Sequence, residues 1–234
     1  MHQFLRMDHL VDVKRDPARL PQATDEERAY YARNQSVYAW FARRYDAVTW
    51  PIRHLRQKVV EAAALPPGAR VLDVATGTGA QALAFADAGM RVIGVDLSEA
   101  MLARARVKRP LVPVSFIAAD ATHLPFAAGH FDAACISFAL HEMPASIRRR
   151  VLDEMVRVTR DGGRIIVVDY ALPVNRVIGA LSLGIVGLYE RDHYYAFVHS
   201  DLRGPLHDAG VVVATDRRAL LGNVSIVVGD KVAR

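Results

Sequence analysis

The spacing of apolar residues changes character near residue 65. Before it the pattern is helical. Thr24-Asp25-Glu26-Glu27 is a capping box that predicts a helix starting near residue 25. Residues 35–48 and 52–64 carry the same 3.6-residue period, interrupted at Pro51. Pro66-Pro67-Gly68 breaks the chain. Beyond it, runs rich in Val, Ile and Leu at 70–75, 91–95, 113–118, 131–138 and 164–170 read as strands. Helical patterns separate them at 79–88, 98–107 and 145–159, with Ser98 placed as the N-cap of the second. After 170 come an apolar stretch, 175–189, and a helix near 200–209. Strands at 210–217 and 223–229 follow, joined by the short link Ala219 to Gly222, which predicts an antiparallel hairpin. The expected fold is α/β, with a doubly wound, mostly parallel sheet of seven strands. Residues 1–65 are expected to form an N-terminal helical extension packed on a core domain, 66–234, with 171–198 as a lid over it.

Composition narrows the setting. At 234 residues, with 52% hydrophobic and 24% charged residues, the chain fits one α/β domain plus that extension. The lone Cys135 sits in the apolar run FDAACISF, where it reads as a small buried hydrophobe in a reduced compartment. The charged start carries no signal-peptide pattern, and the 13-residue apolar run 177–189 falls short of the ~20 needed to span a bilayer. A cytoplasmic protein is expected. The net charge of +5 concentrates at Arg43, Arg44, Arg53, Arg56 and Lys58, and at Arg148 to Arg150. No nucleic-acid-binding signature accompanies it, so no nucleic-acid partner is expected. A solvated helix face is the plain reading, and a peripheral membrane contact is the alternative. Residues 1–23 have little pattern and leave an ordered arm, a homodimer contact and a loose tail all open.

The candidate chemistry starts at VLDVATGTGA, residues 71–80. Gly77 and Gly79 allow a strand-to-helix turn to approach a ligand closely. Asp73, four residues before the first glycine, repels a pyrophosphate but suits a cationic amino group. The pair points to S-adenosylmethionine, a nucleoside fused to a positively charged amino acid. Asp96 ends the second strand and is placed to accept ribose hydroxyls at the crevice of such sheets. Asp120 ends the third strand (FIAAD), where it would meet the adenine amino group beside Ala121, with Leu97 and Met101 against the ring. The spacing Gly77-x-Gly79-x-x-Ala82 also fits a dinucleotide fingerprint. Asp73, Asp120 and the C-terminal hairpin argue against that rival.

With these residues assembled, the chain resembles the class I S-adenosylmethionine-dependent methyltransferases. It is similar more narrowly to the ubiquinone/menaquinone-biosynthesis C-methyltransferases. The resemblance runs over residues 30–231 and rests on VLDVATGTG, VDLSEAML (95–102), AADATHLPF (118–126), MVRVTRDGGRIIVVDY (155–170), the Tyr45-Asp46 pair and the final hairpin. It implies a Rossmann-like methyltransferase fold, with Asp73, Ala75, Gly77 and Gly79 along the methionine part of the cofactor. Asp96 and Leu97 would hold the ribose, Asp120 and Ala121 the adenine. Ser137 would approach the methyl end, and Tyr45 would close over the cofactor. Two departures fall near the acceptor side: Asp169 stands where the family has glutamate, and His141-Glu142 where it has Arg-Asn.

Methyl transfer from a sulfonium is an in-line displacement, in which the protein aligns the partners and excludes water. A base is required only if the acceptor must lose a proton. His141, on the turn after the fourth strand, is the first candidate because imidazole titrates near neutrality. Glu142 is the second, although it also suits a helix cap. In the lid, His193 and Tyr194 would enclose a small hydrophobic or aromatic acceptor such as a quinol precursor. No metal is required. Two further readings stay open: a phospholipid headgroup N-methyltransferase at a membrane surface, and a non-catalytic cofactor-binding sensor.

Overall fold

The computed structural model describes residues 23–108, 114–173 and 193–233. Helix α1 runs unbroken from Asp25–Thr49, and a 3₁₀ turn at Trp50–Ile52 leads into α2, Arg53–Ala63. Thr24 caps α1 by accepting a hydrogen bond from the Glu27 N–H, as the capping box predicts. The two helical patterns before Pro51 are thus one helix, since no residue between them breaks it. Ala64, in the left-handed conformation, ends α2.

The core domain follows the predicted alternation. In chain order it runs β1 (Arg70–Val74), α3 (Ala80–Asp87), β2 (Arg91–Asp96), α4 (Glu99–Arg106), β3 (Val114–Ala118), β4 (Phe131–Ser137) and α5 (Ala145–Val158). Then come β5 (Thr159–Tyr170), α6 (Tyr194–Val198), α7 (Arg203–Asp208), β6 (Val211–Ala219) and β7 (Val224–Lys231). The seven strands form one sheet in the order β3-β2-β1-β4-β5-β7-β6. The first five are parallel; β7 runs antiparallel to both β5 and β6. The strand order reverses between β1 and β4, which is where such sheets open a ligand crevice.

Both faces of the sheet are covered. Ile165 and Val167 of β5 pack on one side with Leu152 and Met155 of α5. Ile166 and Val168 face the other side, toward Leu55 and Val59 of α2 and Phe85 of α3. This alternation is the period-two signature of a strand buried on both faces. Cys135 is free and fully buried, as its apolar neighbours suggest.

Two irregularities matter. The β4–β5 pairing breaks between Phe131↔Thr159 and Ala133↔Arg164, so β5 begins at Thr159 rather than at 164. The intervening turn closes on Gly163, where a Cβ would sit 2.7 Å from the Asp132 carbonyl oxygen and 2.8 Å from that of Arg160. Edge strand β6 carries a bulge at Ala214, between Val213↔Gly229 and Thr215↔Val228. No helix among the described residues is long and apolar enough to cross a membrane.

Candidate active site

The strand ends at the switch point define the site. Ala75 follows β1 and Phe138 follows β4; each takes a positive φ, 52° and 53°. Left-handed backbone at two non-glycine residues on adjacent strands is costly, and such strain clusters at functional sites. Here it folds both chains sharply away from the sheet and leaves a crevice between them.

The glycine turn is built by the acids around it. The Gly77 N–H donates to Asp96 Oδ2 (2.7 Å) and the Ser98 N–H to Asp96 Oδ1 (2.8 Å), so the end of β2 pins the turn after β1. Burial raises the Asp96 carboxyl pKa, and those N–H groups offset part of the effect. Asp73 is buried beneath the turn and accepts from the Thr76 hydroxyl at 2.5 Å. Burial pushes its carboxyl up to about 7, against the Thr76 hydroxyl and the Ala82 N–H, which favour the ionised form. No described Lys, Arg or His forms an ion pair with it. The charge of Arg56 across the cavity also favours the ionised form without forming an ion pair, so the buried carboxylate suits a cationic ligand.

Two cavities meet over this floor. The smaller, 60 Å³, is lined by Gly77, Asp96, Leu97, Met101, Asp120 and Ala121, roofed by Tyr30 and Tyr31 of α1. It joins the residues expected to hold ribose and adenine. Asp120 is buried; it accepts from the Tyr31 hydroxyl (3.0 Å) and from the backbone and side chain of Thr122 (2.8 Å each). The larger, 670 Å³, is mostly apolar, with Phe41, Ile52, Leu55 and Val59 on one side and Asp73, Ser137, His141 and Tyr170 on the other. Tyr38, Tyr45, Ala75, Ser137, Phe138 and Glu142 line both. Where they meet, β1 and β4 end.

Gly79 departs from the expectation. It lines neither cavity, but caps α3 with φ 77°, and a Cβ there would stand 2.6 Å from Phe116 Cζ. Its freedom serves the packing of α3 on β3, because the turn has already passed the crevice at Gly77. A Cβ added to Gly77 would meet nothing closer than Met101 Cε at 3.8 Å, so the space beside it belongs to the cavity.

On the acceptor side, His141 and Glu142 occupy a 3₁₀ turn, Leu140–Glu142. Both His141 and Asp169 are buried, and Nδ1 lies 2.6 Å from Asp169 Oδ1. A carboxylate accepts, so Nδ1 carries a proton, while Nε2 lies 3.9 Å from Glu142 Oε1. Asp169 is itself held by the N–H groups of Leu140 and His141 on one oxygen and of Tyr170 on the other. The Tyr38 hydroxyl donates to Glu142, joining α1 to the same turn.

Helix α1 is the roof. Glu27 at its start accepts from Ser146 (2.6 Å) and Arg150 (2.9 Å) of α5, and the Ser146 bond above all lowers its pKa. Asp46 near its end accepts from the Thr78 hydroxyl (2.6 Å) and from Lys108 (3.0 Å), while Lys108 also reaches the Thr78 carbonyl (2.6 Å). Tyr45 lies between, its hydroxyl pushed up to about 12 by burial and then by the charge of Glu142.

The lid expectation fares differently by residue. Residues 174–192, most of the expected lid, lie outside the described residues. His193 is half-buried and lines a side cavity with Glu26 and Tyr30; its Nδ1 is 3.7 Å from Glu26. Tyr194 lines none of these cavities: it is buried edge-on against Tyr170, ring centroids 5.4 Å apart, and belongs to the core. Short α6 places its apolar face there, so Tyr194 packs in the core rather than enclosing an acceptor. Sequence reasoning also misses Asp169 as the partner of His141, and Tyr30, Tyr31, Tyr38 and Phe138 as walls. A signal for Asp169 exists, since it lies at the end of an apolar strand as Asp96 does.

Comparisons with known proteins bear on this arrangement. Residues 71–163, from β1 into the turn of β5, match the family model described as "Methyltransferase domain". Over that stretch the chain is similar to a methyltransferase domain. Over 137 residues the chain is 42% identical to a demethylmenaquinone methyltransferase of Beutenbergia cavernae, covering 56% of this chain and 55% of that one. It is 45% identical over 121 residues to the protein of that name from Renibacterium salmoninarum, covering 52% and 49%. The chain thus spans about half the length of the curated relatives it matches. In shape it is similar to a chain of the complex between the Haloferax volcanii Trm112 methyltransferase activator and a methyltransferase. The TM-score is 0.67 at 19% identity, over 84% of this chain and 98% of that one. That likeness concerns the fold of the domain.

Proposed function

We propose that the protein transfers the methyl group of S-adenosylmethionine to a small aromatic acceptor, of the quinol-precursor kind, that must lose a proton as it reacts. The observation that carries this reading is the junction of the two cavities at Ala75, Ser137 and Phe138, with the His141–Asp169 pair on the apolar side. The cofactor fits the residues present. Asp73 offers a buried carboxylate to an ammonium group, Asp96 an acid at the rim to ribose, and Gly77 open space beside its Cα. The names of the relatives with 42% and 45% identity support the aromatic acceptor.

When bound, S-adenosylmethionine supplies an electrophilic methyl group. Asp73 fixes the amino-acid end, Asp96 the ribose, and Asp120 with Met101 the base. Tyr45 and Phe138 keep water from the junction. Asp169 holds the His141 proton on Nδ1 and so presents Nε2 to the acceptor. His141 takes the proton that a phenolic hydroxyl or an activated ring carbon gives up as the new bond forms. Positioning and desolvation do most of the work, with the base adding roughly 10²–10⁴-fold.

The test pairs calorimetry with transfer of labelled methyl to phenols, quinols, phospholipids and amines. Binding of the cofactor, transfer to the phenol and quinol group, and a His141→Ala loss of kcat at unchanged cofactor affinity are expected. Transfer to phospholipid headgroups, or tight cofactor binding with no transfer at all, would replace this reading by the headgroup enzyme or the sensor. Asp169→Asn, which can hold the imidazole in the wrong tautomer, should follow His141→Ala in kcat rather than in Kd.

A further inference from the structure

The chain has two tryptophans, Trp40 and Trp50, and both are exposed, 69% and 60%. Large aromatic side chains this exposed are unusual on a free surface, and here both belong to the last turns of α1 and the turn that follows it. Val37, Trp40, Arg44 and Val48 fall at i, i+3, i+7 and i+11 of α1, one stripe of the helix. Val37 is 43% exposed and Val48 60%. Trp50 follows in the 3₁₀ turn that joins α1 to α2. Val37, Trp40 and Val48 also line the larger cavity, so the stripe is the lip of its mouth.

Charge accompanies this apolar lip. The Arg44 guanidinium stands 5.2 Å over the Trp40 ring and that of Arg53 stands 3.8 Å over Trp50. Arg43 and Lys58, in the same stretch of chain, are exposed as well. The one acid between Trp40 and Lys58 is Asp46, which is committed to Thr78 and Lys108. Indole rings paired with guanidinium groups suit the boundary between acyl chains and phosphate headgroups. A second copy of the chain would set this basic lip against another, which charge opposes.

We propose that the lip formed by Trp40, Val48, Trp50, Arg43, Arg44, Arg53 and Lys58 docks on the surface of an anionic lipid bilayer. The large cavity then opens toward the membrane, and a lipid-borne acceptor reaches His141 without crossing water. This rests on the hydrophobic-acceptor reading above, but the surface itself is argued from exposure and charge.

The two tryptophans make the test direct, because all indole emission comes from this lip. Vesicles of phosphatidylcholine containing phosphatidylglycerol should shift the emission to shorter wavelength and carry the protein down on sedimentation. Pure phosphatidylcholine should do so far less, and high salt should reverse the effect. The Arg44→Glu/Arg53→Glu variant should bind anionic vesicles at least roughly tenfold more weakly. Trp50→Ser should reduce binding while methyl transfer to a water-soluble phenol is unchanged, which shows the fold intact. Emission that stays in place with every vesicle overturns the proposal. So does a shift that needs no vesicles and tracks a doubling of mass by light scattering, which would assign the lip to a contact between copies. Vesicle binding without transfer to any phenol or quinol would leave the surface standing and remove the acceptor reading; transfer without vesicle binding would do the reverse.

Discussion

Asp73 shows how one residue couples binding to protonation. Its carboxyl, held up to about 7 by burial, is largely protonated below neutrality, yet an ammonium group requires it ionised. Cofactor affinity should therefore rise from about pH 6 to pH 8 and then level. Calorimetry at pH 6 in buffers of different ionisation enthalpy should detect a released proton, absent in Asp73→Asn. The two glycines separate in the same way. Gly79→Ala drives a Cβ to within 2.6 Å of Phe116 and should cost about 2 kcal/mol or more of stability. Gly77→Ala has room and should cost about 1–2 kcal/mol from its positive φ, while weakening cofactor binding. Urea denaturation alongside calorimetry separates them; equal stability losses would contradict the assignment of Gly79 to packing.

At the scale of elements, the roof of the site is α1, tied down at Glu27, Tyr31 and Asp46. Asp46→Ala should leave the sheet intact but speed amide exchange in residues 40–49 and weaken cofactor binding about tenfold, about the worth of one charge-assisted hydrogen bond. Unchanged exchange there would mean that the latch is idle. What can be read from the sequence divides along the same line. The capping box, the glycine turn, the strand-ending acids and the hairpin are local patterns, and each stands in the structure where the spacing puts it. The His141–Asp169 bond joins residues 28 apart, and the Thr78–Asp46 bond residues 32 apart. No periodicity carries such pairings; they exist only once β4 and β5 are neighbours and α1 crosses the crevice. The same holds for Tyr194, whose burial depends on Tyr170 of another element and so leaves no local trace.

For the whole molecule, stability should vary with pH in two steps. Asp73 has a folded pKa above its unfolded value, so it opposes folding above pH 7, and this cost is relieved as pH falls from about 7 to about 4. Asp132 works in the other direction. Burial disfavours its charge, but hydrogen bonds from the Arg70 N–H and the Arg160 and Arg70 guanidinium groups outweigh that and hold it at about 2. Its contribution is present above about pH 4 and lost as pH falls toward 2. The ligand-free protein should melt higher at pH 5 than at pH 8, and lower again below pH 3; a flat Tm between 8 and 5 would contradict a buried, unpaired Asp73.

The bulge at Ala214 has a further consequence at the far edge of the sheet. A straight β6 would offer a row of unpaired backbone groups on which another chain could build, continuing the sheet from molecule to molecule. The extra residue twists that row out of register, and exposed Arg217 and Arg218 stand along the rest of it. A concentrated solution of this protein is thereby protected on that side from fibre-like growth, by one additional residue in an edge strand.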